Sequence, residues 1–331
     1  MSYWAGKKVL VTGCNGFVGG WLTQRLVDQG AQVFGLIWEV DPDAHFYRAG
    51  LSDRIACVPG DIRDGPLLTK TLADGNIDTV FHLAAQAIVT KAKLSPLETY
   101  ETNTMGTWAL LEAARSARSL QRIVVASTDK VYGDRDELPY LESSPLCATN
   151  PYDVSKAAAD LIARSYAKTY HLPLAVVRCG NIYGGGDLNF DRLIPSTIIA
   201  ALQNEHPLVR SDGTLTRDYM YVDDAVDAYL MLGQALDQQR FHGEVFNFGN
   251  EQPFTVLEII GRVLDLMGRR YLTPIVQNVA EAEIQHQYLS AAKAKDELGW
   301  VPAHDLGSGL PKTISWYEAF PAERVPETVS A

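Results

Sequence analysis

Short apolar runs separated by longer amphipathic stretches set the pattern of this chain. Residues 8–12, 32–37, 55–58, 79–83, 122–126 and 174–178 are brief, continuous and rich in β-branched side chains, as strands buried on both faces of a sheet are. Between them, residues 21–29, 66–73, 95–117 and 152–170 repeat apolar side chains at helical spacing. Strands alternating with helices predict an α/β chain with a doubly wound parallel sheet. Residues 244–248 predict a seventh strand that returns to it late.

After Arg178 the texture changes. Residues 181–191 are rich in Gly and Asn, and shorter elements follow, with helices expected at 225–234, 255–267 and 291–298. The expected division is a cofactor domain over 1–180, joined by a returning segment near 220–250, and a smaller α/β substrate lobe over 181–331. The end, from about Ala322, carries two prolines and polar residues and is expected to fray.

Composition narrows the function. The 331 residues are 47% hydrophobic and 21% charged, with a net charge of −11. That profile suits a soluble globular protein with a substantial core and argues against nonspecific nucleic-acid binding, which needs a basic surface. No apolar run reaches the roughly 20 residues that span a bilayer, and the first residues lack a signal-peptide pattern. Cys14, Cys57, Cys147 and Cys179 are far apart in sequence, which predicts buried or half-buried free thiols, no metal site and a reducing cytoplasm.

The first strand runs into Gly13-Cys14-Asn15-Gly16-Phe17-Val18-Gly19. Gly13 permits a tight turn, Gly16 a close backbone approach to a pyrophosphate, and Gly19 close helix–strand packing. The helix start offers free N–H groups to the anion. The second strand ends near Glu39 and Asp41 with no Arg or Lys. An acid there holds an adenine ribose, which favours NAD over NADP with Glu39 as the ribose ligand. Asp61, after the third strand, is either a partner for the adenine amino group or a helix N-cap.

Tyr152 and Lys156 lie four residues apart and so share one helix face. A lysine cation beside the phenol would lower its pKa and make Tyr152 a base for a substrate hydroxyl. Just upstream, Ser127-Thr128-Asp129-Lys130 closes an apolar strand.

These features resemble the extended short-chain dehydrogenase/reductase family, the nucleotide-sugar epimerases and dehydratases on a Rossmann fold. The resemblance spans nearly the whole chain and includes His82-Leu83-Ala84-Ala85-Gln86, residues 178–184 and residues 217–224. It implies a nucleotide-sugar substrate, with Asn15, Phe17, Val18, Ile62, Leu83, Ala84 and Ala85 joining the glycines at the NAD. It also implies that Thr128 holds the sugar 4-hydroxyl and that Asn181 and Arg217 hold the diphosphate. Gln86, Ser127, Arg192 and Leu193 complete the implied substrate contacts. A structural ion pair with Asp218, Asp223 or Asp224 is the competing reading of Arg217. A homodimer is implied too, with helices 95–117 and 152–170 paired through small residues such as Ala109, Ala113, Ala114, Ala157, Ala158, Ala159 and Ala163.

Within that family small residues usually follow the Ser/Thr in 4-epimerases, whereas 4,6-dehydratases carry an acid pair. Asp129-Lys130 matches the pair of the CDP-glucose 4,6-dehydratase group. Protonated Asp129 would release the C6 hydroxyl as water, and Lys130, when neutral, would take the C5 proton. The competing readings are a surface Asp-Lys turn, an NDP-sugar 4-epimerase of UDP-glucose or UDP-glucuronate type, and a noncatalytic NAD-binding regulator. Residues 217–219 and 298–302 look more like the general epimerase pattern. Gln285-His286-Gln287 stands where many relatives carry an arginine, which leaves the nucleotide base open, and His286 reads as a surface residue.

Overall fold

The computed structural model describes residues 2–279, 284–321 and 324. Six strands come first: β1 (Lys8–Thr12), β2 (Gln32–Ile37), β3 (Ala56–Pro59), β4 (Thr79–His82), β5 (Arg122–Thr128) and β6 (Leu174–Cys179). Then come β7 (Asn181–Tyr183), β8 (Leu208–Val209), β9 (Thr216–Tyr221) and β10 (Val245–Phe248). The last of these returns to the main sheet. Seven parallel strands lie in the order β10-β6-β5-β4-β1-β2-β3. The order reverses between β1 and β4, and in such sheets that crevice is where ligands bind.

The helices in the first half are α1 (Phe17–Asp28), α2 (His45–Arg48), α3 (Gly65–Asp74), α4 (Val89–Leu94), α5 (Pro96–Tyr100), α6 (Gly106–Ser116) and α7 (Pro151–Tyr170). The rest are α8 (Leu193–Leu202), α9 (Val222–Ala235), α10 (Val256–Leu266), α11 (Ala292–Leu298) and α12 (Leu306–Glu318). Because successive strand residues point to opposite faces, the sheet divides its side chains between two cores. Val9, Val11, Val124, Ala175 and Val177 pack against α1 and α9. Leu10, Ile123, Val125, Leu174 and Val176 pack against α3, α6 and α7. A third core joins Tyr183, Tyr219 and Tyr221 to Ile194 and Ile198 of α8, Ile259 of α10 and Leu310 of α12. Beside it, β9 pairs with β7, β11 (Pro253–Thr255) and β13 (His286–Gln287), while β8 pairs with β12 (Ile275–Val276).

Several expectations need correction. β3 is largely exposed, because it is the sheet edge, where Pro59 costs no ladder bond. Residues 95–117 are not one regular helix: α5 passes through a wide π-turn at Glu101–Met105 into α6. Gly106 begins α6 because a Cβ there would lie 2.7 Å from Ile62 Cγ2. α8 has no readable period because it is apolar nearly all round and buried. α12 was masked by Gly307, Gly309 and Pro311, and Gly309 lets the Tyr183 hydroxyl approach the helix. Cys57 and Cys147 are exposed, not buried, while Cys14 and Cys179 are buried free thiols. Ala113, Ala114, Ala159 and Ala163 are spent on the chain's own core. The expected fraying from Ala322 lies outside the described residues except Arg324, whose guanidinium pairs with Asp43. Among the described residues no helix is long and apolar enough to cross a membrane.

Under β5, Arg178 of β6 and Asp160 of α7 form a fully buried bidentate pair at 2.8 and 2.9 Å. Arg178 also donates to the Tyr132 hydroxyl at 2.8 Å, which donates to Asn247 of β10 at 2.7 Å. Removing one partner leaves a buried charge uncompensated. Asp160→Ala or Arg178→Met should therefore cost about 3–5 kcal/mol, read as a lowered denaturant midpoint. Arg178→Met combined with Asp160→Leu should recover much of that loss.

Candidate active site

The glycine loop is shaped by close approach. Gly13 has φ +71°, and a Cβ on it would lie 2.8 Å from the Ala84 amide nitrogen. A Cβ on Gly19 would lie 1.9 Å from the Gly13 carbonyl oxygen, so only glycine lets α1 press onto the turn. Gly16 caps α1 without a side-chain bond, which leaves the first-turn N–H groups turned toward the crevice between β1 and β4. These features fit a dinucleotide pyrophosphate. Phe17 and Val18 open the helix half-buried, and Phe17 also packs against the third core.

Asn15 donates to the Glu39 carbonyl at 2.6 Å and ties the loop to the exposed end of β2. Leu83 and Ala84 continue β4 alongside, with Leu83 N–H donating to Thr12 O at 3.1 Å and Ala84 N–H to Thr12 Oγ1 at 3.2 Å. Thr12 also meets His82 Nδ1 at 2.8 Å, and His82 Nε2 meets Thr107 at 2.9 Å. Burial, and then the Lys156 charge, push His82 down to about 3, so it is a neutral strut. Ala85 follows, half-buried.

Asp61 is not the N-cap of α3; Asp64 is, accepting from Leu67 N–H at 3.0 Å. Asp61 instead accepts from Arg63 through the backbone and Nε, both at 2.8 Å. Arg63 also meets Glu101 at 2.9 Å and lies 5.9 Å from the centre of the Trp38 ring. The fold thus brings an arginine to the end of β2 that strand-by-strand reading did not see, with two carboxylates beside it. Ile62 is buried under α6.

The cluster expected to carry the chemistry begins where β5 ends. Thr128 Oγ1 accepts the Lys130 amide proton at 3.3 Å and donates to Asp129 Oδ1 at 3.0 Å. Asp129 is 2% exposed, and burial pushes its carboxyl up against the opposing pulls of Lys130, Thr128 and Arg217. It is therefore a buried turn residue, not a surface one. Lys130 is half-buried and donates to Gln287 Oε1 of β13 at 3.4 Å.

Tyr152 stands at the start of α7, and burial pushes its phenol up to about 12. The strongest opposing influence is the Arg192 charge, and the Thr128 hydroxyl adds a smaller pull in the same direction. The expectation that a Lys156 cation lowers the phenol is corrected here, because burial outweighs every opposing influence and Lys156 is not among them. Lys156 donates to the Ala126 carbonyl at 2.5 Å, and burial pulls it down to about 8 against Asp160. Arg192 is held by buried Asp187 at 2.9 Å, and Leu193 follows it to open α8.

Across the cleft, Ser127 Oγ, Asn181 Nδ2 and Gln287 Nε2 are buried with no hydrogen-bond partner among the described residues. Such groups cost about 1–3 kcal/mol each and suit a polar ligand that satisfies them. Arg217 donates to Thr216 O at 2.8 Å, and its charge reaches Asp129. Of the three acids weighed as its partners, Asp218 meets Glu251 N–H, Asp223 meets Arg25, and Asp224 meets His304. Burial raises Asp218 to about 6. Gln86 turns its amide back onto Ile88, at 2.9 and 2.6 Å. His286 is exposed and bonded to Thr216 at 2.9 Å. Gln287, a neighbour of Lys130 that sequence reasoning missed, is fully buried. Its one sequence signal was its place in the 285–287 triplet.

The sequence model of the family described as GDP-mannose 4,6 dehydratase matches residues 10–313. The chain belongs to that family. The CDP-glucose 4,6-dehydratase of Salmonella typhimurium is 32% identical, over 96% of this chain and 92% of the relative. A dTDP-glucose 4,6-dehydratase of Xanthomonas campestris is also 32% identical, over 93% and 92%. Among solved structures, the dTDP-glucose 4,6-dehydratase DesIV of Streptomyces venezuelae, with NAD bound, superposes with a TM-score of 0.85. It is 30% identical and covers 94% of this chain and 96% of its own. A UDP-glucose 4-epimerase of Thermotoga maritima reaches 0.86 at 26% identity, covering 94% and 98%. This GDP-mannose 4,6 dehydratase family member therefore shares its scaffold with both reaction types.

Burial makes the Asp129 carboxyl hold its proton to higher pH in the folded protein than in the unfolded chain, where release comes near about 3.9. Stability is thus lost as pH rises through the window between those two values. Asp129→Asn should raise the melting temperature at neutral pH, with the gain vanishing below about pH 4. The same variant should slow dehydration at least about 100-fold. Thermal scans across pH and product assays check both.

Proposed function

We propose that this chain is an NAD-dependent nucleotide-hexose 4,6-dehydratase, forming an NDP-4-keto-6-deoxy sugar and water. The observation that carries the reading is Asp129, a buried acid inclined to keep its proton, in one turn with Lys130 and directly after Thr128. Bound at the glycine loop, NAD supplies the acceptor and later the donor of a hydride.

Thr128 holds the sugar 4-hydroxyl, and Tyr152 takes its proton as the C4–H bond breaks. Arg192 and Thr128 favour the phenolate this requires, and Lys156, fixed on the Ala126 carbonyl, holds its place beside the cofactor ribose. The 4-ketone then acidifies the C5 proton. Lys130 takes that proton, and Asp129 gives its own to the departing C6 hydroxyl, so the electron pair of the C5–H bond becomes the C5–C6 double bond and water leaves. Hydride return to C6 and a proton to C5 complete the product. Asn181 and Arg217 suit the diphosphate, since a guanidinium can fork onto phosphate oxygens. The Asp-Lys pair favours a CDP-glucose-like substrate.

A homodimer and a cytoplasmic setting belong to the same reading. The outer faces of α5, α6 and α7 present Leu97, Trp108, Leu161 and Tyr170, each at least 45% exposed, as an unpaired apolar face. The exposed free thiols of Cys57 and Cys147 suit a reducing compartment.

Incubation with CDP-, dTDP-, GDP- and UDP-hexoses labelled at C4 should release a 4-keto-6-deoxy product, with the label at C6 by NMR. Label that stays at C4 of an inverted, undehydrated sugar would establish the 4-epimerase instead. Leu161→Glu with Trp108→Glu should convert a dimer to a monomer in sedimentation analysis.

A further inference from the structure

We propose that Gln287 is the positioning residue for Lys130, a neutral amide that fixes the lysine nitrogen for the C5 proton without lending it a counter-charge. This rests on the reading of Lys130 as the elimination base.

The contact spans 157 residues of sequence, from the turn after β5 to β13. Gln287 is 0% exposed, and its Oε1 accepts from Lys130 Nζ at 3.4 Å. The amide is held from behind, because β13 pairs in parallel with β9 and sets Gln287 opposite Arg217. One strand pair therefore sets both the lysine's acceptor and the guanidinium whose charge reaches Asp129. The other end of the amide, Nε2, is buried with no partner among the described residues. A fully buried donor left unmet by the described residues suits a substrate oxygen, so the amide would bridge Lys130 and the sugar nucleotide.

The chemistry of the neighbours explains why an amide stands here. Among the described residues, the acids on which the Lys130 charge acts are Asp129 in its own turn and Asp153 from α7, which packs against that turn. Asp153 in turn feels Lys93 of α4. Burial raises both carboxyls, which inclines them toward the neutral acid. Asp153 Oδ1 has no partner among the described residues. A glutamate at 287 would place a third acid on the lysine and stabilise its ammonium form; glutamine fixes the same geometry with no net charge.

The test separates the half-reactions of the enzyme with NAD and its nucleotide sugar. Reduced-nicotinamide absorbance in a single turnover reports C4 oxidation, and deuterium uptake at C5 from heavy water reports the base. Gln287→Met should slow C5 exchange about 10- to 100-fold while C4 oxidation persists. Gln287→Glu should move the acidic limb of the elimination pH profile to higher pH. Adding Gln287→Met to Lys130→Met should lower the residual C5 exchange no further at saturating substrate, as expected when one residue positions the other. Losses that multiply in the double variant, or a pH profile unmoved by Gln287→Glu, would overturn the proposal. If Gln287→Met does not fold, Gln287→Glu alone decides. C5 exchange that survives Lys130→Met would remove the lysine reading itself, an outcome distinct from failure of Gln287 alone.

Discussion

At the carboxyl end of β5 the Thr128 hydroxyl accepts a hydrogen bond from the Lys130 amide and donates one to Asp129 Oδ1. The pairing converts a strand into a tight turn with no intervening loop. It therefore leaves Thr128, Asp129 and Lys130 at the rim of a sheet whose strands are packed on both faces. Gly133, at φ +70°, closes the turn, and Tyr140 donates to its carbonyl at 2.6 Å. The acid is thereby buried while the lysine next to it can still reach across the cleft.

Burial is then the common cause behind the site's electrostatics. It pushes Asp129 and Tyr152 up and Lys156 and His82 down, toward the neutral form in every case. Arg178 is as deeply buried, but there the bidentate contact with Asp160 favours the charged guanidinium. The difference marks two uses of buried polarity. The paired ions lock β6 to α7, whereas the singly supported groups above them stand nearer the point where a proton can move.

Much of this was legible in the sequence. Gly13, Gly16 and Gly19 announce their turn because their steric demand is local, and Tyr152 and Lys156 share a face because helical spacing says so. What sequence could not carry was the partner each side chain finds. Lys156 meets the Ala126 carbonyl, Arg192 approaches Tyr152, and Gln287 reaches Lys130 through pairings between segments far apart in the chain. Asp61 failed as an N-cap for a smaller reason: the helix began three residues later, at Asp64. The helix at 193–202 was hidden because a helix apolar on all sides has no polar face to show its period.

The likeness of this scaffold to a dehydratase and to an epimerase, at TM-scores of 0.85 and 0.86, has a physical consequence. Both chemistries begin with the same oxidation at C4, so the sheet, the glycine loop and the Tyr152–Lys156 helix can serve either one unchanged. What separates them must be small enough to leave the backbone alone. On the proposed reading a two-residue turn meets that condition, because Asp129 and Lys130 would supply an acid and a base without moving the strand that carries Thr128. The second lobe then acts on the turn through side chains, with Gln287 and Arg217 set against it by a single pair of strands. On that proposal, reaction choice and substrate hold would be coupled at one edge of the cleft, while the oxidation step stays with the sheet.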